Sequence, residues 1–221
     1  GSEMCIRDRG DRIALLGESG AGKSTLLKVL ASMYAAEGEY VINGRPCRDY
    51  RYEDFRRQVT LLSQKTFVYS ASIRDNLTMF SGTAQQDEAL TKTLADAGLS
   101  KWYAERGASM DTQIGGEEHA LSGGEERRLD LARTLWRKGS LVMLDEPAAG
   151  MNPQETLELA AFIHELREKY GLTIFLIEHH MDLVMRISDY IYVIDFGSKI
   201  AEGIPQEVQN NQPVSYTHLR A

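Results

Sequence analysis

From residue 13 to residue 34 the chain passes from a short apolar run, through Gly17-Glu18-Ser19-Gly20-Ala21-Gly22-Lys23-Ser24-Thr25, into apolar residues at helical spacing. No other feature restricts the possible fold as tightly. Residues 13–16 are all apolar and stop at Gly17, as a buried parallel strand does on entering a loop. Leu26, Leu27, Val29, Leu30 and Met33 then recur at helical spacing and predict a helix over 23–34. The segment between satisfies GxxxxGK[ST] in full, and it stands between a strand and a helix as that motif requires. Glycines let the backbone curl so that several N–H groups converge on phosphate oxygens, and the helix N-terminus adds its positive dipole end. Lys23 can reach the outer phosphates of ATP, and the Ser24 hydroxyl is placed to ligate Mg²⁺. A chance glycine-rich turn would need neither the strand nor the helix.

The rest of the chain repeats this alternation. Residues 39–42 read as a strand leading into a tight turn at Asn43-Gly44, and 59–62 as a second short strand. Residues 72–137 are helical in pattern, with breaks at Ser81-Gly82, Gly98 and Gly115-Gly116. Strand-like runs return at 141–144, 173–177 and 190–194. Between the first two lies a helix with Asn152 as its cap, Pro153 at its first position, Glu155 at its third and Gly171 past its end. Strands alternating with helices predict an α/β fold with a mainly parallel sheet and helices on both faces. The helical middle block reads as an inserted subdomain.

Two further segments carry chemistry. The strand at 141–144 ends in Asp145-Glu146-Pro147, and ligands of open parallel sheets gather at the carboxyl ends of strands. Asp145 is therefore the expected partner for Mg²⁺, through water, because Mg²⁺ keeps part of its hydration shell. Glu146 is the expected group to polarise an attacking water. An isolated acidic turn would carry no such meaning; its place beside a phosphate loop supplies it. Leu121-Ser122-Gly123-Gly124-Glu125 precedes a helix bearing Leu129, Ala132, Leu135 and Trp136. Ser122 and Glu125 form a capping box, which explains why a helix starts there. The box does not account for Gly123 and Gly124, whose bare N–H groups can meet an anion.

With these motifs in this order, residues 10 to about 210 resemble the ATPase domain of ABC transporters. LSGGE resembles the family signature, with Glu125 where Gln is commoner. The resemblance implies a P-loop NTPase core of RecA-like type at 10–70 and 138–205, with a helical subdomain at 71–137. It also implies that Gln64 senses Mg²⁺ and the transmembrane partner, that residues 148–152 form a loop at a dimer interface, and that His179 contacts the γ-phosphate. Glu146, His179 and Gln64 are thus the expected catalytic group. Gly17 to Thr25 hold the nucleotide, and Ser24, Gln64 and Asp145 hold the metal. Two such domains are expected to face each other head to tail, Ser122, Gly123 and Gly124 of one acting on the nucleotide of the other. Transmembrane domains are the further partners, which places the chain on the cytoplasmic face of a membrane. A non-transport ABC ATPase is the competing enzyme class; those carry tandem cassettes or coiled-coil arms. His119, His164, His180 and His218 have no counterpart in the resemblance and read as surface.

Three features depart from the family pattern. Its members ordinarily carry two antiparallel strands and an adenine-stacking aromatic before the phosphate loop, where this chain has few residues. By analogy with base–aromatic stacking, such a loss costs about 1–3 kcal/mol of binding. Residues 1–9 and 213–221 resemble a cloning scar and sequencing-adapter read-through, and are expected to be non-native tails. Residues up to about 140 resemble exporter ATPases. From Pro147 onward, Pro147-Ala148-Ala149-Gly150-Met151-Asn152-Pro153 and Ile177-Glu178-His179-His180-Met181 resemble a branched-chain amino-acid importer ATPase. A chimera joined at residues 144–147, and a catalytically weak product, is the rival expectation.

Composition narrows the partners. The net charge of −7 argues against nucleic acid, and two cysteines without CxxC spacing argue against a zinc site or disulfide framework. No apolar run approaches the roughly 20 residues of a membrane-spanning helix.

Overall fold

The computed structural model describes residues 10–18, 20–34, 40–42, 45–105, 109–116 and 121–211. In chain order the elements begin with β1 (Arg12–Leu16), α1 (Lys23–Leu30), β2 (Val41–Ile42), β3 (Arg45–Pro46), α2 (Tyr52–Gln58) and β4 (Val59–Leu62). There follow β5 (Ala71–Ser72), α3 (Ile73–Thr78), α4 (Asp87–Asp96), α5 (Ser100–Glu105), β6 (Gln113–Ile114) and α6 (Gly123–Arg137). The last are β7 (Leu141–Asp145), α7 (Pro153–Tyr170), β8 (Thr173–Glu178), α8 (Met181–Ile187), β9 (Tyr190–Asp195), β10 (Ser198–Gly203) and α9 (Pro205–Gln209). They divide into two compact units, one formed by residues up to Gln64 together with those from Ser140, the other by Lys65–Gly139.

The first unit is built on a six-stranded sheet of order β10-β9-β1-β8-β7-β4. All neighbours are parallel except β9 and β10. The strands read as continuous apolar runs because both faces are covered: every residue of β8 is buried. Ile13, Leu15, Leu27, Phe55, Met143, Phe175, Ile177 and Tyr192 form one core cluster. The crossover helix α7 starts and stops as its sequence predicts. Asn152 and Glu155 exchange reciprocal cap bonds, Pro153 takes the first turn, and Gly171 closes it at φ +60°.

The second unit packs α6 against α3 and α4, with Ile73, Leu77, Leu90, Leu94, Leu129 and Ala132 inside. It is not wholly helical, as the pattern over 72–137 predicts: Ala71–Ser72 pairs antiparallel with Gln113–Ile114. A two-residue strand leaves no period to read. Gly115, which follows it, has φ +82°, and a Cβ there would lie 2.5 Å from the Tyr69 carbonyl oxygen.

Three other expectations are adjusted. Helix α1 ends at Leu30, short of residue 34, and Ser32 sits in the left-handed region at φ +55°. The strand at 39–42 is described as Val41–Ile42, while Asn43-Gly44 lies outside the described residues. The antiparallel edge β10 has no counterpart in the sequence reading. It is reached through Phe196-Gly197, both at positive φ, the twist-matched geometry of a two-residue hairpin. The expected tails 1–9 and 213–221 also lie outside the described residues.

Candidate functional site

The sheet register brings the functional segments to one end of the first unit. Strand β1 lies between β8 and β9, with Leu16 level with Glu178 and Val193. Asp145, at the end of β7, is level with Ile177. The phosphate loop, the acidic pair and the histidines thus leave neighbouring parallel strands at their carboxyl ends, where such sheets bind ligands. Gly17 is required by packing, because a Cβ there would meet the Ile194 carbonyl oxygen at 2.6 Å.

The loop is built to receive an anion. Gly20 and Gly22 adopt φ +86° and +88°, and nothing lies within 4 Å of where their Cβ atoms would be. No side chain caps α1, although Ser122 caps α6 and Asn152 caps α7. The first N–H groups of α1 are therefore left to a ligand. Ser19 lies outside the described residues. The Lys23 ammonium is buried and donates to the carbonyl oxygens of Gly17 and Glu18 at 2.7 and 2.8 Å. Burial pulls its pKa below the ordinary lysine value, against the opposing pull of Glu146, Asp145 and Glu178.

Ser24 Oγ donates to Asp145 Oδ1 at 2.9 Å. A hydroxyl and a carboxylate oxygen are the hard oxygen donors that Mg²⁺ and its bound water take, so the pair fits Mg²⁺. Gln64 Nε2 donates to Glu146 Oε2 at 3.1 Å, and His179 Nδ1 lies 3.6 Å from Glu146 Oε1. The catalytic trio expected from sequence therefore meets at one carboxylate. Glu146 itself sits at φ +44°, a conformation that costs a residue with a Cβ about 1–3 kcal/mol. Its N–H donates to the Ile177 carbonyl, which holds the strained turn against β8.

Sequence reasoning assigns no role to Glu178, and the structure shows a clear one. Its side chain is fully buried at the end of β8. One carboxylate oxygen accepts the Ala148 N–H at 3.0 Å; the other accepts the His179 N–H at 3.1 Å and faces His180 Nδ1 at 3.0 Å. It ties the loop after Glu146 to the loop carrying His179. The available signal is a lone acidic residue closing the apolar run Thr173–Glu178. His180 is half-exposed, as expected of a surface histidine, yet it is anchored by this bond. His164 is exposed and shares a bond with Arg12, and His119 and His218 lie outside the described residues.

In the second unit, Ser122 Oγ accepts from the Glu125 N–H, and Glu125 Oε2 accepts from the Ser122 N–H. The space over Gly123 and Gly124 is open. Another feature absent from the sequence reading is an edge-to-face stack of Phe67, Tyr69 and Phe80, in which both phenylalanines are exposed by about 60%. Exposed aromatic clusters of this kind mark interaction surfaces.

Comparison with known proteins gives consistent relatives. The family model described as ABC transporter matches residues 4–149. The high-affinity branched-chain amino acid transport ATP-binding protein LivG of Salmonella typhimurium is 35% identical over 97% of this chain and 88% of its own length. The glutathione/L-cysteine transport system ATP-binding/permease protein CydC of Haemophilus influenzae is 35% identical over 89% of this chain and 34% of its own. A bacterial Atm1-family ABC exporter with ATP bound superposes with a TM-score of 0.81 at 23% identity, over 96% of this chain and 37% of that one. Importer-type and exporter-type relatives both match across residues 144–147.

Proposed function

The chain belongs to the ABC transporter family as an ATP-binding domain, and from that premise we propose that Glu146, Gln64 and His179 hydrolyse ATP held by residues 17–25 to power a transmembrane partner. The meeting of Gln64 and His179 on the Glu146 carboxylate carries this reading. The Lys23 ammonium exchanges its two loop carbonyls for the β- and γ-phosphates, and the open N-terminus of α1 binds the same anion. Ser24 and Asp145, with Gln64, hold Mg²⁺, Asp145 through water. When bound, Mg²⁺ neutralises charge developing on the β- and γ-oxygens. Glu146 Oε accepts a hydrogen bond from the attacking water and orients it in line with the γ-phosphate, while His179 contacts the γ-phosphate. Little covalent chemistry is asked of the protein; the rate comes from positioning and electrostatics.

Half of the site is supplied by a second ATPase domain. Ser122, Gly123 and Gly124, with open space above their backbone, are the surface that meets the partner's nucleotide in a head-to-tail dimer. The exposed Phe67–Tyr69–Phe80 stack supports a docking surface for the transmembrane partner. No described helix is long and apolar enough to cross a membrane.

The test is phosphate release with Mg-ATP. Wild type is expected to turn over, Glu146→Gln to fall by about 10²–10⁴-fold, the scale of a lost general base, and Lys23→Ala to lose nucleotide binding. Equal release by wild type and Glu146→Gln would overturn the assignment.

A further inference from the structure

Glu178, His179 and His180 bring three potential metal ligands together, with all donor atoms within 4.8 Å of one another. His180 Nδ1 stands 3.0 Å and His179 Nδ1 3.9 Å from the same oxygen, Glu178 Oε2. The Glu146 carboxylate stands beside this cluster, its Oε1 3.6 Å from His179 Nδ1. The two imidazole rings have centroids 4.1 Å apart and are tilted by 37° to one another. With metal–ligand bonds of about 2.0–2.2 Å, two donors on one ion stand about 2.9–3.5 Å apart at octahedral or tetrahedral angles. The Glu178–His180 separation already lies in that range, and the Glu178–His179 separation reaches it if the half-exposed His179 ring moves by about 0.5 Å.

We propose that Glu178, His179 and His180 form an inhibitory site for a first-row transition-metal ion such as Zn²⁺. Charge favours it, since the carboxylates of Glu146, Asp145 and Glu178 all act on the Lys23 ammonium and outnumber it. Donor chemistry sets it apart from the magnesium position at Ser24 and Asp145. Two imidazoles suit Zn²⁺, Cu²⁺ or Ni²⁺ and are poor ligands for Mg²⁺, which takes oxygen. Glu178 is already rigid, held by the N–H groups of Ala148 and His179, so the ion meets an oriented carboxylate rather than a mobile one. Inhibition follows from which groups are captured. His179 cannot contact the γ-phosphate while it ligates the ion, and the bound cation stands beside Glu146, the group proposed to orient the water. This consequence rests on the ATPase reading above; the binding does not.

The decisive substitution is His180→Asn. Asparagine retains an amide N–H for Glu178 and caps α8 well, but it is no zinc ligand. Zn²⁺ is titrated calorimetrically into the wild-type chain and His180→Asn at neutral pH, without nucleotide and with millimolar Mg²⁺ present. One ion is expected to bind the wild type, and the variant to bind it at least about 10-fold more weakly, the loss that even an outer-sphere partner causes. Phosphate release is then followed as Zn²⁺ is added. Both proteins are expected to share a basal rate, the variant needing at least about 10-fold more Zn²⁺ for half-inhibition. Equal zinc affinity in the two proteins overturns the site. A weakened isotherm with equal zinc sensitivity overturns its inhibitory role. Zinc binding that depends on His180, in a wild type without basal turnover, supports the site and instead refutes the ATPase reading.

Discussion

Glu178 is a carboxylate with no exposed surface, and its value lies in the N–H groups that it satisfies. In Glu178→Leu the Ala148 and His179 N–H groups lose their acceptor, and each buried donor left unpaired costs about 1–3 kcal/mol. The two loops then lose their common anchor. Turnover is expected to drop while nucleotide affinity, set at residues 17–25, holds; Glu178→Gln retains a carbonyl acceptor and is expected to recover part of the rate. Steady-state kinetics on both variants checks this, and equal rates in Glu178→Leu and wild type would contradict it. Glu125 offers a second test. Its carboxylate closes the capping box but places negative charge where a partner's phosphates are proposed to lie. Glu125→Gln keeps the acceptor, gives up about 0.3–1 kcal/mol of helix-dipole stabilisation, and is expected to strengthen ATP-driven dimerisation. Sedimentation at graded ATP concentrations measures it. Lys23, Ser24, Asp145, Glu146 and His179 could be placed from sequence because each occupies a fixed offset from a strand end. Glu178 could not, because the loop it anchors is reached through the backbone N–H of Ala148, 30 residues away, which no spacing encodes.

At the level of elements, β1 is fastened at its start by Arg12. Its guanidinium takes both oxygens of Asp189, and its backbone N–H adds a third bond to that carboxylate. Burial opposes ionisation of Asp189, but these bonds outweigh it and hold the carboxyl below the usual range. A depressed folded-state pKa means that the stabilisation is complete above the unfolded value of about 3.9 and disappears as pH falls through the folded value. Thermal stability is therefore expected to fall more steeply below about pH 4 in wild type than in Asp189→Asn, as followed by circular dichroism. Parallel acid profiles would contradict it. In the second unit, Arg133 joins three segments: it donates to the Asn76 and Phe67 carbonyls, to the Asn76 side chain and to Asp130. Burial pushes the Asp130 carboxyl up, with Arg133 and Arg127 opposing. Arg133→Met leaves that buried acid without its nearest cation and is expected to cost about 3–5 kcal/mol. Hydrogen exchange in α3 and α6 reads the loss directly. Sequence periodicity located α6, α7 and the central strands because each runs long enough to show a repeat. It passed over β5, β6 and β10, where two-residue pairing or a hairpin turn decides the structure and tertiary contacts supply the stability.

For the whole molecule, the sheet order matters more than the join expected at residues 144–147. Strand β1, from the start of the chain, lies between β8 and β9, from its end, and residues of both halves share one core cluster. The phosphate loop and His179 are thus held by the same packed layer, whatever the origin of each half. What that layer cannot supply by itself is a second wall for the nucleotide, since Ser122, Gly123 and Gly124 are assigned to a partner's site. The proposed chemistry therefore requires dimerisation when ATP is bound and not hydrolysed. Sedimentation equilibrium of Glu146→Gln with and without Mg-ATP addresses this most directly. A shift from monomer to dimer that needs ATP, and is abolished by adding Lys23→Ala, is the expected result. A variant that binds Mg-ATP yet remains monomeric at all concentrations would contradict the shared site.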